Sequence, residues 1–118
     1  MRALIVDDSK FMRNIIIDIL NKHNINVIGE ASSGKEAVSS YLKLKPDVVT
    51  MDLTMTEMSG IEAINEILRI DPKAYIIACS AMGQKAIVKE AIDAGAKGFI
   101  VKPFEEEDLM KEINKFKK

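Results

Sequence analysis

The chain has 118 residues, 30% of them charged, with a formal net charge of -1 and a single cysteine. That is one domain, spanning residues 1–118 and long enough to bury roughly two-thirds of its unfolded surface; the near-balance of charge argues against a nucleic-acid binder held by phosphate electrostatics. No stretch approaches the roughly 20 apolar residues of a membrane span, Cys79 cannot form an internal disulfide, and the N-terminus enters a strand pattern without a signal-peptide layout, so a reducing, cytoplasmic setting is expected.

Ala3-Leu4-Ile5-Val6 reads as a buried strand ending in Asp7-Asp8. Ser9 is a candidate N-cap, since its hydroxyl can accept from an orphan helix N–H. Phe11, Ile15, Ile16, Ile19 and Leu20 recur at helical spacing and predict a first amphipathic helix, closed at Lys22-His23-Asn24. Ile25 to Ile28 predicts a second strand, with Gly29-Glu30-Ala31 at its end. Ser32 or Ser33, with Gly34, opens a second helix carrying Ala37, Val38, Tyr41 and Leu42, which cannot continue through Pro46. Val48 to Met51 predicts a third strand that delivers Asp52 into a loop ending at Gly60.

Ile61, Ile64, Ile67 and Leu68 mark a third helix, closed by Asp71-Pro72. Tyr75 to Cys79 is a fourth strand, followed by Ser80-Ala81-Met82-Gly83. Ile87, Ala91 and Ala94 lie on one face of a fourth helix that stops at Gly95, as at a left-handed cap. Gly98 to Val101 is a fifth strand leading into Lys102-Pro103-Phe104. Glu105 to Asp108 put negative charge at the start of a last helix, and Lys115, Lys117 and Lys118 put positive charge at its end, both with the sign the dipole favours. Five alternations of uniformly apolar strand and helix predict a parallel sheet covered on both faces.

In a parallel sheet all strand ends gather at one edge, where ligands of open α/β folds bind. That edge collects Asp7 and Asp8 from strand one, Asp52 from strand three, Ser80 from strand four and Lys102 from strand five. Clustered carboxylates repel and raise one another's pKa. A hard dication relieves this, and Mg²⁺ suits a site with few carboxylates and an incoming phosphate. Lys102 adds positive charge, Ser80 can donate to a phosphoryl oxygen, and an aspartate attacking phosphorus gives an acyl phosphate. Taken singly, Asp7-Asp8 reads equally well as a helix cap and Ser80 as a turn residue. His23 stands alone as a helix-end residue, Cys79 as a small buried hydrophobe, and the methionines Met51, Met55, Met58 and Met82 as gap-fillers.

Val6-Asp7-Asp8-Ser9, Met51-Asp52-Leu53-Thr54-Met55, Gly60, Ser80-Ala81, Gly95-Ala96 and Lys102-Pro103-Phe104 resemble, in order and spacing, the response-regulator receiver domains. Asp8-Ser9-Lys10-Phe11-Met12-Arg13 and Cys79-Ser80-Ala81-Met82-Gly83-Gln84 are most similar to the stand-alone chemotaxis regulators among them. The resemblance implies a flavodoxin-like (βα)5 fold with strand order 2-1-3-4-5. It implies Asp52 as phosphoacceptor and a Mg²⁺ ion held by Asp8, Asp52 and the Thr54 backbone carbonyl, with Asp7 acting through a coordinated water. Ser80 and Lys102 would bind the phosphoryl group, Lys102-Pro103 would be cis, and Phe99 would match an aromatic switch residue. Two positions depart from the family pattern: Thr56 replaces the usual Pro, and Phe99 the frequent Tyr.

The function so implied is a two-component switch in chemotaxis. A histidine kinase phosphorylates it, a flagellar or archaellar motor component or adaptor reads it, and a phosphatase resets it. The chain would be monomeric and no enzyme beyond self-catalysed phosphotransfer and slow autodephosphorylation. Alternatives are a receiver cut from a larger regulator such as a chemotaxis methylesterase, a Mg²⁺-dependent phosphohydrolase, or a flavin or nucleotide binder. The hydrolase needs a second acid–base carboxylate, where Thr54 stands, and a substrate cap. The nucleotide binder needs a Gly- or hydroxyl-rich first turn, where Asp7-Asp8 would repel phosphate.

Overall fold

The alternating pattern folds into five strands and five helices in strict succession: β1 (Arg2–Val6), α1 (Lys10–Lys22), β2 (Asn26–Ala31), α2 (Gly34–Leu44), β3 (Val48–Asp52), α3 (Gly60–Ile70), β4 (Ile76–Ala81), α4 (Lys85–Ala94), β5 (Gly98–Lys102) and α5 (Glu106–Phe116). The structure, a computed structural model, describes residues 1–55, 58–81 and 85–116. The readings placed on Thr56, Met82, Gly83, Gln84, Lys117 and Lys118 lie outside the described residues. All strand pairs are parallel, in the order β2-β1-β3-β4-β5.

Strand pleating sends alternate residues to opposite faces. Leu4, Val6, Val49, Met51, Ile76 and Ala78 join Ala37, Tyr41, Ala63, Ile64, Ile67 and Ala91 in one core, between the sheet and α2, α3 and α4. Ala3, Ile5, Val48, Ile77, Cys79 and Ile100 join Ile16, Leu20, Leu109 and Ile113 in a second core, under α1 and α5. Each fully buried Leu or Ile contributes about 1.5–3 kcal/mol relative to exposure. The central strands β1, β3 and β4 are thereby buried nearly throughout. Met51 is fully buried, while Met55 and Met58 pack against the first core as fillers.

Helix starts follow local hydrogen bonding. Ser9 Oγ accepts from Met12 N (3.2 Å), Ser33 Oγ from Glu36 N (3.1 Å) and Ser59 Oγ from Glu62 N (3.2 Å), so of the two candidate serines Ser33 is the cap of α2. Gly95 adopts φ 118° after α4, the positive φ expected of a terminating glycine.

Several expectations need correction. The strands are not uniformly buried: β5 is an edge strand whose Phe99 and Val101 face outward, and β2, the other edge, is only partly covered. The second strand runs from Asn26 through Ala31, because Gly29, Glu30 and Ala31 continue the ladder with β1. Ser80 and Ala81 likewise belong to β4, paired with Val101 and Lys102. Phe11 and Leu42 are exposed at 74% and 47%, so neither joins the buried stripe of its helix. His23 is not alone: its Nε2 lies 2.6 Å from Glu106 Oε2, and Lys22 Nζ lies 2.9 Å from Glu106 Oε1, so the acidic start of α5 is tied to the end of α1.

Thr50, in the middle of β3, is 1% exposed and its hydroxyl has no hydrogen-bond partner among the described residues. A buried hydroxyl left unpaired costs about 1–3 kcal/mol, and valine has nearly the same shape. Thr50→Val is expected to raise the free energy of unfolding by about 1 kcal/mol, read by urea denaturation followed by circular dichroism; a lower midpoint would show that the hydroxyl is paired.

Candidate functional site

Register places the polar strand ends. Val6 pairs with Met51, so Asp7 follows β1 beside Asp52 at the end of β3. Asp52 pairs with Cys79, and Ala81 pairs with Lys102. Lys102 therefore sits one pleat repeat beyond Asp52, and its long stem reaches back. Lys102 Nζ lies 2.8 Å from Asp7 Oδ2 and 3.5 Å from Asp52 Oδ1. Asp7, Asp8 and Asp52 each offer a carboxylate oxygen within 4.8 Å of the others. Asp7 and Asp52 are buried, at 1% and 5% exposure, whereas Asp8 is exposed.

The surrounding chain holds these groups closely. Asp7 donates its N–H to Ala31 O (3.0 Å), and its Oδ1 accepts from Ser9 N (2.9 Å). Asp52 Oδ1 accepts from Thr54 N (3.3 Å). Gly60 sits so close to the end of β3 that a Cβ on it would lie 2.2 Å from the Asp52 carbonyl oxygen, a position only glycine can fill. Lys102-Pro103 is cis, as the resemblance implied.

The charges are unbalanced. Burial, reinforced by the Asp7 carboxylate and more weakly by Asp8, pushes Asp52 up to about 6, although Lys102 and the Thr54 N–H pull the other way. For Lys102 burial opposes the charge, but the hydrogen bond to Asp7 and the fields of Asp52 and Asp7 outweigh it and raise its pKa. One ammonium thus leaves the three acids under-compensated. Their oxygen-only donor set fits a hard dication that keeps several waters, and Mg²⁺ meets that description.

Asp7, Asp8, Asp52 and Lys102 come together. Ser80 stands at the neighbouring strand end, buried, with its Oγ donating to the Ala81 carbonyl (3.3 Å). Thr54 is exposed beside Asp52. Phe99 lies on the outer face of β5, opposite the pleat that carries Lys102, with 43% of its surface exposed. Cys79, beside Asp52, is fully buried and its thiol is pushed up to about 12 by that burial, which leaves it unreactive. Sequence reasoning gave no role to Arg13, whose guanidinium donates to the Asp7 carbonyl (2.6 Å) and to Glu30 (2.8 Å). A side chain that bonds a main-chain carbonyl leaves no signature in a sequence.

The model of the response regulator receiver domain matches residues 3–114. The chemotaxis protein CheY of Thermotoga maritima is 59% identical over 99% of this chain and 98% of its own length. CheY of Bacillus subtilis is 55% identical over 97% and 95%. Among solved structures, the CheX–CheY–BeF3–Mg²⁺ complex of Borrelia burgdorferi superposes with a TM-score of 0.93 at 36% identity, over 98% of this chain and 87% of that one.

The raised Asp52 pKa has a stability consequence. The folded state binds the Asp52 proton more tightly than the unfolded chain, whose carboxyl titrates near 3.8. This group's contribution to stability is therefore complete below about pH 3.8 and is lost as pH rises through about 6. Without divalent cation, Asp52→Asn is expected to stabilise the protein by about 1–3 kcal/mol at pH 7.5, with the gain fading toward pH 4. Urea unfolding across that range checks the sign, and a loss at pH 7.5 would contradict the charge balance described.

Proposed function

Since the chain belongs to the response regulator receiver domain family, and the two relatives named above, which it matches over nearly their full length, are CheY signalling proteins rather than classical enzymes, we propose that it is a chemotaxis switch turned on by phosphorylation of Asp52. The observation that carries this reading is the buried Asp52 carboxylate, clustered with Asp7 and Asp8 and faced by Lys102 at 3.5 Å. With a pKa near 6 the carboxylate is mostly ionised at pH 7 and is a competent nucleophile. An Asp52 oxygen attacks the phosphorus of a histidine kinase's phosphohistidine. A P–O bond forms, the P–N bond breaks, the imidazole leaves with a proton, and an acyl phosphate remains on Asp52.

Asp8, Asp52 and the Thr54 backbone carbonyl would hold Mg²⁺ directly, and Asp7 through a water. When bound, the ion neutralises charge shared between the carboxylates and the phosphoryl oxygens. Lys102 supplies a second positive charge to those oxygens. Ser80 turns its hydroxyl from the Ala81 carbonyl to the phosphoryl group. Water slowly hydrolyses the acyl phosphate, and a phosphatase hastens the reset.

Output follows from differential stability. A phosphoryl group contacted by Ser80 and Lys102 favours a conformation in which Ser80 moves toward it and Phe99 turns inward from its exposed position into the space vacated. The face made by α4, β5 and α5 then changes shape and binds its target, a flagellar or archaellar motor component or adaptor. The Borrelia complex, in which a related CheY is joined to CheX, supports a protein partner for a chain of this kind. We assign residues 1–118 to this one cytoplasmic, monomeric receiver.

Incubation with Mg²⁺ and acetyl phosphate, followed by intact-mass spectrometry, is expected to show a single phosphoryl adduct. Asp52→Asn or an excess of chelator removes it, and the initial rate declines as pH falls below about 6. A folded protein that stays unmodified, or an adduct that survives in Asp52→Asn, would defeat the proposal.

A further inference from the structure

Arg13 lies in the first turns of α1, and its side chain is only 14% exposed. Its guanidinium divides between two acceptors. Nη1 donates to the Asp7 carbonyl at 2.6 Å, and Nε donates to Glu30 Oε1 at 2.8 Å. Glu30 belongs to β2, which flanks β1 and pairs with it through Ile5. Arg13 therefore joins α1, the end of β1 and the edge strand at the point where the chain turns into the acidic cluster.

The geometry points to Arg13 as a positioning residue for divalent-cation binding: by fixing the Asp7–Asp8 peptide it holds Asp8 at the mouth of the carboxylate cluster. The peptide unit is planar, and the carbonyl of Asp7 shares that plane with the Cα of Asp8. A donor that fixes the carbonyl therefore fixes the point from which the Asp8 side chain projects. Asp7 is already held at its N–H by Ala31 and at its carboxylate by Ser9 and Lys102. Arg13 supplies the remaining restraint, at the carbonyl. Asp8 depends on it most, because the ion pairs of the described residues engage Asp7 and Asp52 but not Asp8. An exposed carboxylate that must meet two buried ones needs its backbone held, since otherwise its ordering cost falls on ligand binding.

Glu30 keeps the arginine aimed. Of the two acceptors it is the charged one and is partly exposed, while the Asp7 carbonyl is the neutral, directional one. The planar fork serves both at once, which a lysine ammonium on a flexible stem does less well.

This inference rests on the reading of the acidic cluster as a Mg²⁺ site, and the test separates the two. Isothermal titration calorimetry of Mg²⁺ into the full chain, without phosphodonor, is run on wild type, Arg13→Met and Arg13→Lys. Urea unfolding in chelator monitors stability alongside. Wild type is expected to bind, Arg13→Met to bind at least 5-fold more weakly, and Arg13→Lys to recover part of the loss. Ile113→Val, a core change under α5, is expected to lose stability and keep its Mg²⁺ affinity. If wild type fails to bind, the metal reading and the positioning role fall together. If wild type and Arg13→Met bind equally well, Arg13 is structural only and the metal reading stands. Should Arg13→Met not fold, Arg13→Lys decides, since affinity equal to wild type from an ammonium that lacks the fork overturns the role.

Discussion

Placing two buried carboxylates side by side at the ends of adjacent central strands is the constraint around which this structure is arranged. Asp7 and Asp52 are brought together by the register of β1 with β3, and their burial, at 1% and 5% exposure, weakens the screening water would give. The fold offers only partial relief. Lys102 pairs closely with Asp7 and more loosely with Asp52, and the Ser9 and Thr54 N–H groups contribute their dipoles. Asp52 is still pushed up to about 6. The residual excess of negative charge is what a bound cation would neutralise, and the proposed phosphorylation of Asp52 draws on the same imbalance. Perturbed carboxylates of this kind concentrate where proteins do chemistry.

The same strand geometry couples that edge to the surface. β5 carries Lys102 on one pleat and Phe99 and Val101 on the other, with Ile100 between them anchored in the core under α1 and α5. Lys102 and the outward-facing Phe99 and Val101 thus lie on one five-residue strand. A groove of about 430 Å³ beside Phe99, bordered by Val101, Pro103, Asp108 and Lys111, gives that face room to change. Buried β1, β3 and β4 lie on one side of that face and a half-covered edge strand on the other.

Much of this was legible in the sequence, for identifiable reasons. Short apolar runs separated by amphipathic helices require a parallel sheet, and a parallel sheet sends every strand end to one edge. That is why Asp7, Asp8, Asp52, Ser80 and Lys102 could be grouped without coordinates; the strand order itself came from family resemblance. Other features were hidden. Ile15, Ile16 and Ile17 are consecutive and blur the helical phase of α1, so the spacing suggested a buried Phe11 that the structure exposes. Gly98 to Val101 is apolar throughout and gives no hint that β5 is an edge. The partner of His23 is 83 residues away, and one of the two acceptors of Arg13 is a main-chain carbonyl, so neither contact could be read from residue type or local period.

Burial and acidic neighbours hold the Asp52 carboxyl above its ordinary pKa. Carbon-13 NMR titration of the Asp52 carboxyl, with and without Mg²⁺, reads that quantity directly. The expected result is a midpoint near 6 in metal-free protein that falls below the ordinary aspartate value of about 3.9 when Mg²⁺ is present. A metal-free midpoint near about 3.9 that Mg²⁺ does not move would contradict it.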